Sequence, residues 1–341
     1  MIDASLLVVG GGAIGGVTAA MLTGEVRRVA VLDASREHVE LMRGDGLRFD
    51  DVGTERRVVI EAYDDPAKLG ERFDFALVTL KAAGHDAALP ALRELDVAES
   101  FVSLGNGLVQ DRIAELIGRE RVLAGIVEWG ATNLGPGRLA RTTRGPFVVG
   151  ELDGPAQPRT RRLADALRPA GDVRVTDDIR GMIWSKLLVN SVFSGLGAVS
   201  GLLYRDVVAD PAGREVAYAM WREGRDVGVA EGLTLDRVLG VPVEALVVRE
   251  AADRARADAA LAQAMEGHGA TKASMLQDLE RGVPTEVDVI DGAVVERGRA
   301  HGVPTPLHER VVELIHAAER GERSQSREGL QQLARLLGDA G

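Results

Sequence analysis

The first part of the chain alternates short β-branched runs with stretches of helical period. "SLLVVG", "RVAVLD", "FALVTL" and "FVSLG" read as strands, with helical patterns over 13–22 and near 37–43. Strand and helix in alternation predict a parallel, doubly wound sheet. Further strand-like pieces, "VLAGIVEWGAT", "PFVVGEL" and "DVRVTDD", carry this mixed α/β region through residue 178. From Ile179 onward the pattern is almost wholly helical, with helices expected over 182–199, 211–231, 241–265, 287–300 and 306–320. The change of pattern predicts a boundary: an α/β domain over 1–178 and an all-α domain over 179–320. Residues 321–341 carry leucines at helical spacing after a polar stretch, which suits either a docked amphipathic helix or a frayed tail.

Within the helical part, "WSKLLVN" places a lysine inside a run that is otherwise apolar on nearly every side. Such a helix should be buried, and lysine is among the residues least often buried without a partner. At helical spacing Lys186, Asn190 and Ser194 fall within an arc of about 80°. That stripe must face something polar, whether solvent, a carboxylate or a ligand.

Composition narrows the choice. The chain has 341 residues, ample for two domains, with 45% hydrophobic and 27% charged residues. No cysteine is present, which excludes disulfides and thiolate metal sites and suits a cytoplasmic protein. A formal charge of -11 works against nucleic acid and anionic membrane surfaces as partners and favours a small molecule. The glycine-broken N-terminus does not read as a signal peptide, and no run is expected to reach the roughly 18 apolar residues of a membrane span.

The loop "VVGGGAIGG" sets Gly10, Gly12 and Gly15 in a GxGxxG arrangement between a strand and a helix. The first glycine serves a tight turn, the second lets backbone approach a pyrophosphate, and the third lets helix and strand pack closely. With Gly11, Ala13 and Ile14 at the start of the helix, free N–H groups point at an anion. Asp33 ends the next strand, near the position where a carboxylate takes the ribose hydroxyls of NAD(H) and repels the 2′-phosphate of NADP(H). Ser35 and Arg36 follow; an arginine in this turn can instead hold that phosphate, and Asp33 or Ser35 can equally be a helix N-cap.

Lys81 follows "FALVTL" and Asn106 follows "FVSLG", at the strand ends where ligands of open α/β sheets collect. Asn106-Gly107 is also an ordinary turn pair. In "SMLQDLERGVPTEVD", Gly282 and Pro284 stop one helix and Thr285 can cap the next, which puts Glu286 in its first turn and Asp288 near the capping-box position. A carboxylate there is justified by the helix dipole alone.

Taken together, "GGGAIGG", "VTLKA", "GNG", "WSKLLVN", "SMLQDLERGVPTEVD" and "GVPTP", in this order over almost the full length, make the chain resemble the ketopantoate reductase (2-dehydropantoate 2-reductase) family. The resemblance implies a Rossmann-type domain followed by an all-α domain like the C-terminal part of 6-phosphogluconate dehydrogenase. It implies reduction of the keto group of ketopantoate, or of a related 2-keto acid, by NADPH. Lys186 would be the lysine that protonates the carbonyl oxygen, Glu286 would hold the substrate hydroxyl or orient the lysine, and Asn190, Ser194 and Ser274 would bind substrate. Lys81 and Asn106 would lie where nicotinamide and substrate meet. A homodimer through the helical domain is expected, and no metal. The chain departs from the family pattern at Ser194 and Thr271, where asparagines are common, and at Asp33, Ser35 and Arg36, where a phosphate-binding arginine is expected; the residues lean to NAD(H), the resemblance to NADP(H). Two other readings share the layout: a related hydroxy-acid or opine-type dehydrogenase, and a non-catalytic dinucleotide sensor.

Overall fold

The computed structural model describes residues 1–338. Contacts divide the chain into two compact units: Met1–Gly105 with Val109–Ile179, and Asn106–Leu108 with the chain from Arg180 onward.

In the first unit an eight-stranded sheet runs in the order Val173–Val175, Phe147–Glu151, Val122–Val127, Ala98–Ser103, Phe73–Val78, Ile2–Val9, Val26–Leu32, Glu61–Tyr63. Neighbours are parallel except Phe147–Glu151, which runs antiparallel to Val122–Val127. Ile2–Val9 is buried from Ala4 onward because it is covered on both faces, and so Leu6–Val9 is a continuous apolar run rather than an alternation. The connections leave this strand in opposite directions, to Val26–Leu32 on one side and Phe73–Val78 on the other, which makes its C-terminal end the switch point where ligands bind in such sheets. A second, four-stranded sheet has no counterpart in the sequence expectation: Glu55–Val58, Leu47–Asp51, Arg138–Arg141 and Ala131–Asn133. The run "VLAGIVEWGAT", expected as one strand, therefore breaks at 128–130 and feeds both sheets. A buried Arg141–Asp51 ion pair joins the strands of the small sheet, with Nε donating to Oδ1 at 2.7 Å.

The second unit is helical. Its first helix runs Ile179–Val189, passes through a π-helical turn at Asn190–Ser194 and continues as Gly195–Ser200. This 22-residue stretch corrects the expectation about length, since its mean hydropathy of 1.3 is that of a membrane span. Within the unit 78% of that apolar window is buried, so its apolarity is used in the core. Trp184 and Leu188, one turn apart, pack against Gly224 and Gly228 of the helix Pro211–Ala230, and Trp184 Nε1 donates to the Gly224 carbonyl at 2.9 Å. A Cβ on Gly228 would stand 2.5 Å from that indole nitrogen, so the close approach needs glycine. Lys186, two residues from each of these anchors, is turned to the opposite side and is half-buried.

The helix expected over 241–265 does not form as one piece. Val241–Pro242 pairs as a strand with Arg237–Val238, Val243–Leu246 is a single turn, and the long helix begins only at Arg254 and ends at His268. Pro242 cannot donate within a helix and starts the turn instead. Ser274–Glu280, Val287–His301 and Pro306–Glu319 follow. Arg327–Gly338 forms an amphipathic helix with Leu330 and Leu333 fully buried; 339–341 lie outside the described residues.

Candidate active site

Gly10 adopts φ +101°, and a Cβ on it would press on Leu80 and Thr79. A Cβ on Gly15 would lie 2.0 Å from the Gly10 carbonyl oxygen, so helix and strand can meet only without one. Gly12 differs: a Cβ there would touch nothing within 4 Å. It opens a cradle at the N-terminus of Ala13–Leu22, a helix with no side-chain cap, so Ala13 and Ile14 begin a turn whose N–H groups suit a pyrophosphate. The residues present therefore fit a dinucleotide.

Two side chains brace this loop. Asp33 Oδ2 accepts from Gly11 N at 2.7 Å, and Oδ1 accepts from Ser35 N at 2.8 Å. His38, missed in the sequence, is buried behind it: Gly137 N–H donates to Nδ1 at 2.8 Å, so the proton sits on Nε2 and is given to the Gly11 carbonyl at 2.7 Å. Only a helix-facing position three residues after the Ser35 cap hinted at it. Ser35 is the N-cap of Arg36–Arg43, accepting from His38 N, and Arg36 pairs with Glu40 at 2.9 Å on the surface. Thr79 donates to the Gly10 carbonyl at 2.7 Å and so ties the "VTLKA" turn to the loop. Exposed Lys81 heads the 3-10 turn Ala82–Gly84. His85, just after that turn, is pushed below the usual histidine range by burial.

In the helical unit, residues far apart in sequence meet. Asn106 Nδ2 donates to Glu286 Oε2 at 3.2 Å. The tripeptide around Asn106 is held there by backbone: Leu108 N donates to the Val289 carbonyl at 2.9 Å, and Gly107, at φ +76°, lies so close to that carbonyl that a Cβ would stand 2.2 Å from it. Glu286 is the N-cap residue of Val287–His301, one position earlier than expected, and its carboxylate makes no capping bond. Thr285 Oγ1 accepts from Val287 N instead, and Asp288 is engaged by His316 rather than by a capping box.

Lys186 and Asn190 are both half-buried, on successive turns of the same helix. The π-turn that begins at Asn190 alters the phase of the helix beyond it, and Ser194 is turned into the core. Its hydroxyl meets the Ser274 hydroxyl at 2.9 Å and accepts from Met275 N at 3.3 Å. Ser274 itself is exposed, as is Thr271. Among the described residues no three His, Asp or Glu side chains converge as metal ligands.

A doubly wound sheet with this glycine loop at its switch point, followed by a separate helical unit, defines an oxidoreductase of the pyridine-nucleotide class. Comparison with known proteins narrows the class. Residues 6–154 match the family described as ketopantoate reductase PanE/ApbA, and residues 178–319 match its C-terminal counterpart. The chain belongs to the ketopantoate reductase family. It is 30% identical to a 2-dehydropantoate 2-reductase of Mesorhizobium japonicum, over 93% of this chain and 98% of that one. It is also 30% identical to that of Halobacterium salinarum, over 92% and 99% respectively. A PanE/ApbA family ketopantoate reductase structure from Ralstonia eutropha superposes with a TM-score of 0.79 at 25% identity, covering 94% of this chain and 100% of that one. The fold is shared as well with D-mandelate dehydrogenase, solved with NADH and anilino(oxo)acetate, at a TM-score of 0.79 and 22% identity over 93% of this chain and 99% of that one.

Proposed function

We propose that the protein reduces the keto group of ketopantoate, or of a closely related 2-keto acid, to the 2-hydroxy acid. The observation that carries this reading is the pairing of Asn106 with Glu286, 180 positions apart, in the unit whose first helix bears Lys186 and Asn190. When bound, the reduced nicotinamide supplies the hydride to the keto carbon.

As the carbonyl carbon is reduced, negative charge develops on its oxygen, and the Lys186 ammonium stabilises that charge and gives up a proton to it. Glu286, steadied by the Asn106 amide, accepts a hydrogen bond from the substrate hydroxyl. Asn190 and Ser274 bind the rest of the acid. Ser194 works from behind, orienting the Ser274 hydroxyl. On the nucleotide side, residues 10–15 hold the pyrophosphate through backbone N–H groups. The Asp33 carboxylate favours NADH: it is anchored beside the loop, where its charge opposes a 2′-phosphate, while Arg36 is engaged with Glu40. A homodimer through the helical unit belongs to the same reading, and sedimentation tests it.

The decisive experiment is a steady-state screen of ketopantoate and related branched 2-keto acids with NADH and NADPH in parallel, on wild type and Lys186→Ala. The variant should lose about 10²–10⁴-fold in kcat while its dinucleotide Kd stays put. Full activity in the variant would remove Lys186 from the chemistry.

A further inference from the structure

The turn that carries Glu286 is gripped from outside by a chain of charged groups. Thr285 gives both its N–H (2.8 Å) and its hydroxyl (2.7 Å) to Glu319 Oε1. The other oxygen of Glu319 meets His316 Nδ1 at 2.8 Å, and His316 Nε2 meets Asp288 Oδ1 at 2.9 Å. The imidazole thus bridges two carboxylates, one on its own helix Pro306–Glu319 and one in the first turn of Val287–His301. An imidazole with carboxylate acceptors at both nitrogens is complete only with both protons on. Thr285 and Asp288 flank Glu286 in sequence, so the chain Thr285–Glu319–His316–Asp288 fixes both ends of the segment that aims the Glu286 carboxylate at Asn106.

We propose that His316, as an imidazolium, is a positioning residue for Glu286, and that its deprotonation weakens binding of the 2-keto acid. This rests on the role given to Glu286 above. Burial of the ring works against its charge, but the hydrogen bonds to Glu319 and Asp288 prevail and hold it above the ordinary histidine value of 6.5. The charged groups facing the ring are Asp288 from the neighbouring helix and Glu319 from its own; Arg320 interacts with Glu319 from the next position, and Thr285 is the neutral partner on the preceding turn. With the folded value raised, the clamp is complete below pH 6.5 and is lost as pH rises through the folded value.

The test is a double-mutant cycle of His316→Gln and Glu286→Gln, with KM for the keto acid and for the dinucleotide measured separately across neutral and alkaline pH. The His316 titration is followed in parallel by imidazole NMR. In wild type, KM for the keto acid should rise along the His316 titration curve. His316→Gln should show a KM that is about tenfold higher at low pH and no longer follows that curve, with dinucleotide KM unchanged. In the Glu286→Gln background the second substitution should add nothing. If Glu286→Gln impairs binding but His316→Gln is silent or fully additive, the positioning role is wrong and the functional reading stands. If Glu286→Gln is itself silent, the functional reading of Glu286 fails and the inference falls with it.

Discussion

Asp291 lies on the helix Val287–His301 with 0% exposure, and neither carboxyl oxygen has a hydrogen-bond partner among the described residues. A Cβ on Gly195 would sit 3.3 Å from one of those oxygens, so glycine there makes room for the carboxyl. Nearby, Glu223 accepts from Leu307 N, His308 N and His308 Nδ1. Burial pushes the Asp291 carboxyl well above the usual carboxylate range; its own backbone N–H works the other way, and repulsion from Glu223 adds to the rise. The folded state therefore holds a proton that the unfolded chain releases near pH 4. The stability associated with that proton is fully present below the unfolded value and is lost as pH rises toward the folded one.

Asp291→Asn keeps the shape and removes the need for the proton. While the folded carboxyl stays protonated, each pH unit above the unfolded value costs wild type about 1.4 kcal/mol relative to a group that does not titrate. The variant should therefore gain on wild type steadily as pH rises above the unfolded value, until the folded carboxyl ionises. Urea unfolding followed by fluorescence of Trp184 and Trp221, both buried in the helical unit, reads this directly. The slope with pH is the decisive quantity, because an asparagine amide introduces its own constant difference. A gap that does not change with pH would refute a protonated Asp291.

The glycine loop makes a paired prediction: Gly15→Ala should unfold or distort the first unit because of its backbone clash, whereas Gly12→Ala should leave thermal stability alone and weaken dinucleotide binding, as calorimetry would show. Gly228→Ala drives a methyl into Trp184 and should cost about 1–3 kcal/mol in urea unfolding. Gly107→Ala combines an unfavourable φ with a clash on the Val289 carbonyl, so it should displace Asn106 and raise KM for the keto acid with no change in dinucleotide Kd. Asp33→Asn should narrow any preference for NADH over NADPH in parallel kinetics, and an unchanged ratio would show that the Asp33 charge does not set it.

Much of this architecture was legible in the residues because it depends on neighbours within a turn or two. Alternation of β-branched runs and helical period specified the doubly wound sheet, and GxGxxG specified a tight glycine turn between strand and helix. The placing of Lys186 and Asn190 on one stripe of an apolar helix follows from helix geometry alone. Tertiary structure decided what depends on partners distant in sequence. His38 latches the glycine loop only because Gly137, 99 residues on, lies against it. The π-turn at Asn190–Ser194 broke the uniform helical phase and sent Ser194 to Ser274, and Asn106 joined the helical unit rather than remaining a turn beside its strand. A local pattern records which face a residue occupies; which atom waits on that face is settled by packing, where each contact depends on all the others being made.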